Sequence, residues 1–168
     1  YQRNYSSVSI GYAEKGVVKA GAIFDPYHQE LFFAELNKGS YLNNHPIHVG
    51  SQTNIHQASV NTDNSYNSTG TERNIHLLQK LKPLPWILMR GSAALILSEI
   101  ASERSDLYFH TTLTPFDIAA GILIVKEAGG TVKDIQGKDV TFMSKEIVAG
   151  NTSLVQQFVH LVNKNLSD

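Results

Sequence analysis

The chain has 168 residues, 42% hydrophobic and 17% charged, with a formal net charge of −1 and no cysteine. Such a balance describes a soluble globular protein of one domain or most of one, and it excludes a disulfide framework, thiol chemistry and a basic stripe for nucleic acid. No apolar run approaches the roughly 20 residues of a bilayer span, and the start carries no signal-peptide pattern, so a cytoplasmic protein that does not enter a membrane is expected.

The first stretch, "YQRNYSSVSI", lacks an initiator Met, and Ser7 to Ala13 already alternates like a strand. The expectation is a fragment or a trimmed chain. Residues 6–50 then break into apolar runs separated by "EKG" and "DPYHQ", both rich in residues that favour tight reversals. "KGSYLNNHPIHVG" adds a short strand and an Asn-Asn/Pro turn. Strands joined by short loops imply an antiparallel sheet.

From about Ser51 the texture changes. "NTDNSYNSTGTE" reads as a polar loop and "TERNIHLLQKL" has helical spacing. "WILMR" predicts a short buried strand, "SAALILSEIASE" a helix, and "SDLYFH" another strand. Next comes "TPFDIAAGILIVKEAGG", a helix apolar on nearly every face, then short strands at "TVKDI" and "EIVAG". "TSLVQQFVHLVNKNL" closes as an amphipathic helix. The expected fold class is α/β in layers: the end of an antiparallel sheet in residues 1–52, then a mixed sheet covered by helices in residues 53–168.

One acid stands near the start of the apolar helix. Thr114 can act as N-cap with Pro115 at N1, which puts Asp117 at N3, the position from which a side chain reaches back to the N-cap amide. The same first-turn position lies at the rim of an α/β sheet, where such folds bind ligands, so Asp117 can equally face a cation. One carboxylate cannot hold Mg²⁺ alone. Glu99, Glu103 and Asp106 read as the wet face and end of a helix and offer no paired ligand. In "RGSAALILSEIAS", Gly91 and Ser92 precede a helix beginning Ala93-Ala94, with Ser92 as N-cap. Small residues there either admit a ligand to free backbone amides or let the helix pack closely on a sheet. His45 and His48 flank a proline and share no helical face. With no H-E-x-x-H and no cysteine, zinc is not expected. Triplets at Asn4, Asn67 and Asn151 match the glycosylation pattern but arise by chance.

Taken in order, these segments resemble the inositol monophosphatase family of Mg²⁺-dependent, lithium-sensitive phosphatases. "GVVKAGAIFDPYHQELFFAELNKGSYLNNHPIHVG" is similar to the family's G-x-[IV]-x-x-P-x-x-x-E-L-[FY]-x-A-x-x-G-x-G-[AS]-[FY]-x-N stretch. "GSAALILSEIASERSDLYF" resembles its G-[ST]-A-A-L element. "PFDIAAGILIVKEAGG" resembles its W-D-x-A-[AG]-[AG] signature with the glycines that follow, and "EIVAGN" its closing strand. The likeness spans roughly Ser7 to Asn151.

The resemblance implies that Asp117 is a metal ligand and that Gly91, Ser92 and Ala93 contact substrate. The family's Trp is Phe116 here. Its substrate-contacting acid, seven residues before the metal Asp, falls on His110, which removes a carboxylate acceptor from that side of the site. The family's other metal ligands, in a Glu-Glu segment and an Asp-Pro-x-Asp-Gly-[ST] loop, belong upstream of a segment like Tyr1–Ala13. The expected function is therefore a Mg²⁺-dependent phosphomonoesterase for inositol phosphate or a similar small polyol phosphate, of which this chain alone is inactive and whose catalytic residues are not identified here. The resemblance also implies a homodimer. Fructose 1,6-bisphosphate and 3′-phosphoadenosine 5′-phosphate are alternative substrates. A non-catalytic binding or assembly module is the alternative of another kind.

Overall fold

The computed structural model of the chain describes residues 5–83 and 85–164. Its first half is an antiparallel meander, β1 (Val8–Glu14), β2 (Val17–Asp25), β3 (Glu30–Glu35), β4 (Ser40–Leu42) and β5 (His45–Pro46), each strand paired with the next. The reversals follow from local chemistry. Between β1 and β2, Lys15 and Gly16 both take positive φ (50° and 80°), as a two-residue hairpin demands. After β2, the Asp25 carboxylate accepts the Tyr27 and His28 amides at 2.9 and 3.1 Å and closes the turn on itself.

The second half alternates. β6 (Ser59–Asn61) is followed by α1 (Ser68–Lys80), β7 (Trp86–Leu88), α2 (Ala93–Ala101), β8 (Leu107–His110), α3 (Pro115–Glu127), β9 (Thr131–Lys133), β10 (Ile147–Gly150) and α4 (Thr152–Lys164). The strands form one mixed sheet in the order β7-β6-β8-β10-β9, with β6 parallel to β7 and β8, and β10 antiparallel to β8 and β9. The expected antiparallel sheet and helix-covered mixed sheet are both present.

Four layers result, because neighbouring residues on a strand point to opposite faces. The inner face of the first sheet (Ile23, Phe32, Ala34) packs on α2 and α3, whose other side meets Tyr108, Ile147 and Ala149 of the second sheet. The far face of that sheet, with Val60, Leu107, Phe109 and Val148, is covered by Leu77 and Leu81 of the α1 segment and Leu154, Val155, Phe158 and Val162 of α4. Helix α3 is thus enclosed, as its uniformly apolar sequence requires. It comes close to the first sheet because Gly11 and Gly21, cross-strand partners, lie under Ala119 and Ala120. A Cβ at Gly21 would stand 2.9 Å from the Ala120 Cα, and one at Gly121 would stand 2.5 Å from Leu97 of α2.

Four sequence expectations need correction. "WILMR" is not a buried strand: β7 is an edge, and Trp86 is exposed. Asn61, read as the start of a polar loop, instead ends β6, a strand in the interior of the second sheet. Asp106 is not on a wet helix face. Its Oδ2 accepts the Ser59 amide at 2.8 Å and the Ser59 hydroxyl at 2.9 Å, tying β8 to β6 where they start. Glu99 is half-buried and pairs with Arg90. Asn67 supplies the N-cap acceptor of α1, taking the Gly70 amide at 2.8 Å. Asn4 and residues 165–166 of the predicted closing helix lie outside the described residues. No helix among the described residues is long and apolar enough to cross a membrane.

Candidate active site

The carboxyl ends of the three parallel strands open onto one cleft, the usual ligand position of an open α/β sheet. Asp63 and Asn64 follow β6, Gly91 and Ser92 follow β7, and His110 ends β8. Together with Ala93, Phe116 and Asp117 they line a cavity of about 410 Å³. The sequence-predicted residues Gly91, Ser92, Ala93, His110 and Asp117 are therefore brought together.

Asp117 takes the capping role that the sequence offered, and its geometry leaves the other role open. Its Oδ2 accepts the Thr114 amide at 2.7 Å and the Thr114 hydroxyl at 2.8 Å, completing the capping box. No described residue donates to Oδ1, and the side chain is half-exposed in the cavity wall. The cap fixes the carboxylate and leaves one oxygen for a ligand.

Ser92 caps α2, its hydroxyl accepting the Leu95 amide at 3.4 Å. Gly91 turns the chain into that helix with φ of 95°, a conformation that favours glycine. The amides of Ala93 and Ala94, in the first turn, have no intrahelical acceptor and stand at the cavity, where anions and hydroxyl oxygens are favoured.

His110 is only 3% exposed. The Thr112 amide donates to its Nδ1 at 3.2 Å, so the ring proton sits on Nε2. Burial holds the imidazole below its ordinary pKa, against the opposing influence of the Asn64 backbone and the Asp117 charge. It is a neutral wall of the cavity, stacked on Tyr108. Burial likewise pushes the Tyr108 phenol up, reinforced by the charges of Asp63 and Asp117.

Sequence reasoning missed Asp63. It sits in a stretch that reads as solvated loop, yet it is 9% exposed, and its Oδ1 accepts the Gly91 amide at 2.7 Å. Its loop is pinned from behind. Asn74 of α1 donates to the Asp63 carbonyl at 2.9 Å and in turn accepts the Thr111 hydroxyl at 2.7 Å. Burial raises the Asp63 carboxyl above the usual range, partly offset by hydrogen bonds from the Gly91 and Arg90 amides. No signal in the sequence marks it; the structure shows why it belongs here, since with Asn61 paired to Tyr108 position 63 falls beside position 110.

Among the described residues, no group of three His, Cys, Asp or Glu side chains converges as a metal shell. The free oxygen of Asp117 suits a divalent cation as one ligand. An octahedral shell needs further oxygens that these residues do not supply.

The layered fold is that of an α/β protein with an open cleft, walled by Asp63 and Asp117, at its strand ends. Comparison with known proteins gives the family: the sequence model of the inositol monophosphatase family matches residues 1–167, and the chain belongs to that family. It is similar to a fructose-1,6-bisphosphatase/inositol-1-monophosphatase of Thermotoga maritima, 34% identical over 158 residues that cover 94% of this chain and 60% of the relative. It also resembles a Nus factor SuhB of Xylella fastidiosa, 33% identical, covering 92% of this chain and 59% of that protein. The solved inositol monophosphatase of Anabaena superposes with a TM-score of 0.87 at 30% identity, covering 94% of this chain and 64% of its own. The chain thus spans about 60% of the length of these relatives.

Proposed function

We propose that the chain is the substrate-binding part of a metal-dependent phosphomonoesterase, acting on inositol phosphate or a similar small polyol phosphate with magnesium as the ion. The observation that carries this reading is the divided carboxylate of Asp117, one oxygen fixed to its own helix and the other unpaired in a cavity shared with Gly91, Ser92 and Ala93. A bound ion would polarise the phosphoryl group and activate water. The contribution of this chain is to hold and orient. Asp117 offers an oxygen at a rigid helix tip. The first-turn amides of α2 receive oxygens of the alcohol portion, and the neutral His110 closes the wall beside them. Family membership supports phosphatase chemistry in general; the choice of ion and substrate is our reading.

The decisive experiment compares Mg²⁺-dependent phosphate release by the wild type and by Asp117→Asn, each as the 168-residue chain and extended upstream to the length of its relatives. In the extended form the variant is expected to lose at least about 100-fold in kcat/KM, some 2.7 kcal/mol, while stability shifts by less than about 1 kcal/mol because Asn remains a good capping residue. The 168-residue chain is expected to be nearly inert. Near-full activity of Asp117→Asn would instead favour a second reading, a non-catalytic assembly module, which the relatives named Nus factor SuhB support.

A further inference from the structure

The buried acid next to the predicted substrate residues has no function in the reading above, yet its surroundings are specific. A carboxylate offers about four acceptor positions. At Asp63, amides of the Arg90–Gly91 turn use at most two, and no Lys, Arg or His among the described residues pairs with it. Enclosing an ionised carboxylate to this degree without a counter-ion is costly unless hydrogen-bond donors meet its remaining lone pairs. The described residues supply none. The open side of Asp63 is the cavity, whose wall it shares with Asn64, Gly91 and, two residues beyond the paired Asn61 and Tyr108, His110. His110 cannot serve as the acceptor itself, since its Nδ1 already takes the Thr112 amide.

We propose that Asp63 is the specificity-determining residue of this cavity: its carboxylate accepts hydrogen bonds from vicinal hydroxyls on the alcohol portion of the ligand, and so selects polyol phosphates over monoesters of hydroxyl-poor alcohols. The inference rests on the phosphatase reading for the phosphate half of the ligand, and on the geometry of Asp63 alone for the alcohol half. Two features suit the task. The acid is held from both sides, through its own carbonyl by Asn74 and through Oδ1 by Gly91, so its unused lone pairs are pre-aimed. It also grips the turn that presents Ser92 and Ala93, which links hydroxyl recognition to the helix tip that receives neighbouring oxygens. A site built to hydrogen-bond a hydroxyl rejects ligands lacking it far more strongly than an apolar pocket rejects a change of size.

The test uses the chain extended upstream to the length of its relatives and two probes, myo-inositol 1-phosphate and phenyl phosphate, with wild type, Asp63→Asn and Asp63→Ala. Binding is followed through the amide resonances of Gly91 and Ser92, and hydrolysis is measured in parallel. Asn keeps an acceptor for the Gly91 amide but carries no charge and presents donors to the cavity, so it separates recognition from bracing. Expected is a fall of at least tenfold in the preference for the polyol ester in Asp63→Asn, seen in Kd and in KM with kcat less affected, and a similar or larger fall in Asp63→Ala. An equal loss for both probes would reduce Asp63 to a brace of the turn and overturn the proposal, as would an unchanged preference. Absence of phosphate release from either probe would count against the phosphatase reading alone, because the binding arm still decides the role of Asp63.

Discussion

The two sheets bury their strands differently. In the first, Phe32 is 2% exposed while its neighbour Phe33 is 39% exposed, and Val8, Ile10 and Leu31 also lie open on the outer face. In the second, every residue of β8 and β10 is buried, because helices cover both faces. An antiparallel meander can leave one face open, whereas strands enclosed between helix layers cannot. The cavity lies at the better-buried sheet. Residues that must not move are mounted where both faces are filled.

That contrast can be broken at neighbouring residues. Phe109→Ala, facing α4, and Tyr108→Ala, facing α2 and α3, are each expected to cost about 3–5 kcal/mol in urea unfolding. In the first sheet Phe32→Ala should approach that figure, and Phe33→Ala should cost less than about 1 kcal/mol. Equal losses at Phe32 and Phe33 would mean that the outer face is covered in solution.

Overpacking at the junction between the sheets gives a smaller effect. Gly21→Val, which brings side-chain atoms against the Ala120 main chain, is expected to lower stability by about 1–3 kcal/mol. On the phosphatase reading proposed above, it should also lower activity in the extended protein, because α3 carries Asp117. Lost stability with full activity would show that the helix tip is positioned independently of its packing on β1 and β2.

The finest comparison is electrostatic. Burial alone would raise the Asp25 carboxyl, but hydrogen bonds from the His28 ring and from the His28 and Tyr27 amides outweigh it and hold the group below its ordinary value. Arg104 holds Glu30 down in the same way. A depressed folded-state pKa gives stability that is full above the unfolded value, about 3.9 for Asp, and is lost as pH falls through the folded value. At Asp63 the shift is upward, so its contribution has the opposite sign: present at low pH and lost as pH climbs from the ordinary carboxylate value through the folded one. Unfolding free energies measured between pH 3 and 7 should therefore rise less steeply in Asp25→Asn than in the wild type, and more steeply in Asp63→Asn. Parallel profiles would erase the distinction.

Much of this was legible in the sequence because it is local. The order of strands and helices, the capping box at Thr114–Asp117 and the N-cap at Ser92 depend on residues within a few positions of one another. The family likeness ran through the same segments. Asp63 was not legible, because "NTDNSYN" has the composition of a solvated loop, and only its neighbours across the sheet bury it. The edge position of Trp86 and the brace from Asp106 to Ser59 failed for the same reason: each is decided by which strand lies alongside, and periodicity does not report that. Glu99 read as exposed until Arg90 was seen folded against it.

The glycine pair at positions 11 and 21 has one more consequence. Where Ala119 and Ala120 of helix α3 cross Gly11 and Gly21, the helix rests on main chain, with no compressible layer of side chains between. Rotamer changes therefore cannot absorb a misfit there, and any added bulk becomes a rigid displacement of the helix and of the acid at its tip. The width of the cleft is thus governed partly by two residues that have no side chains and do not line it.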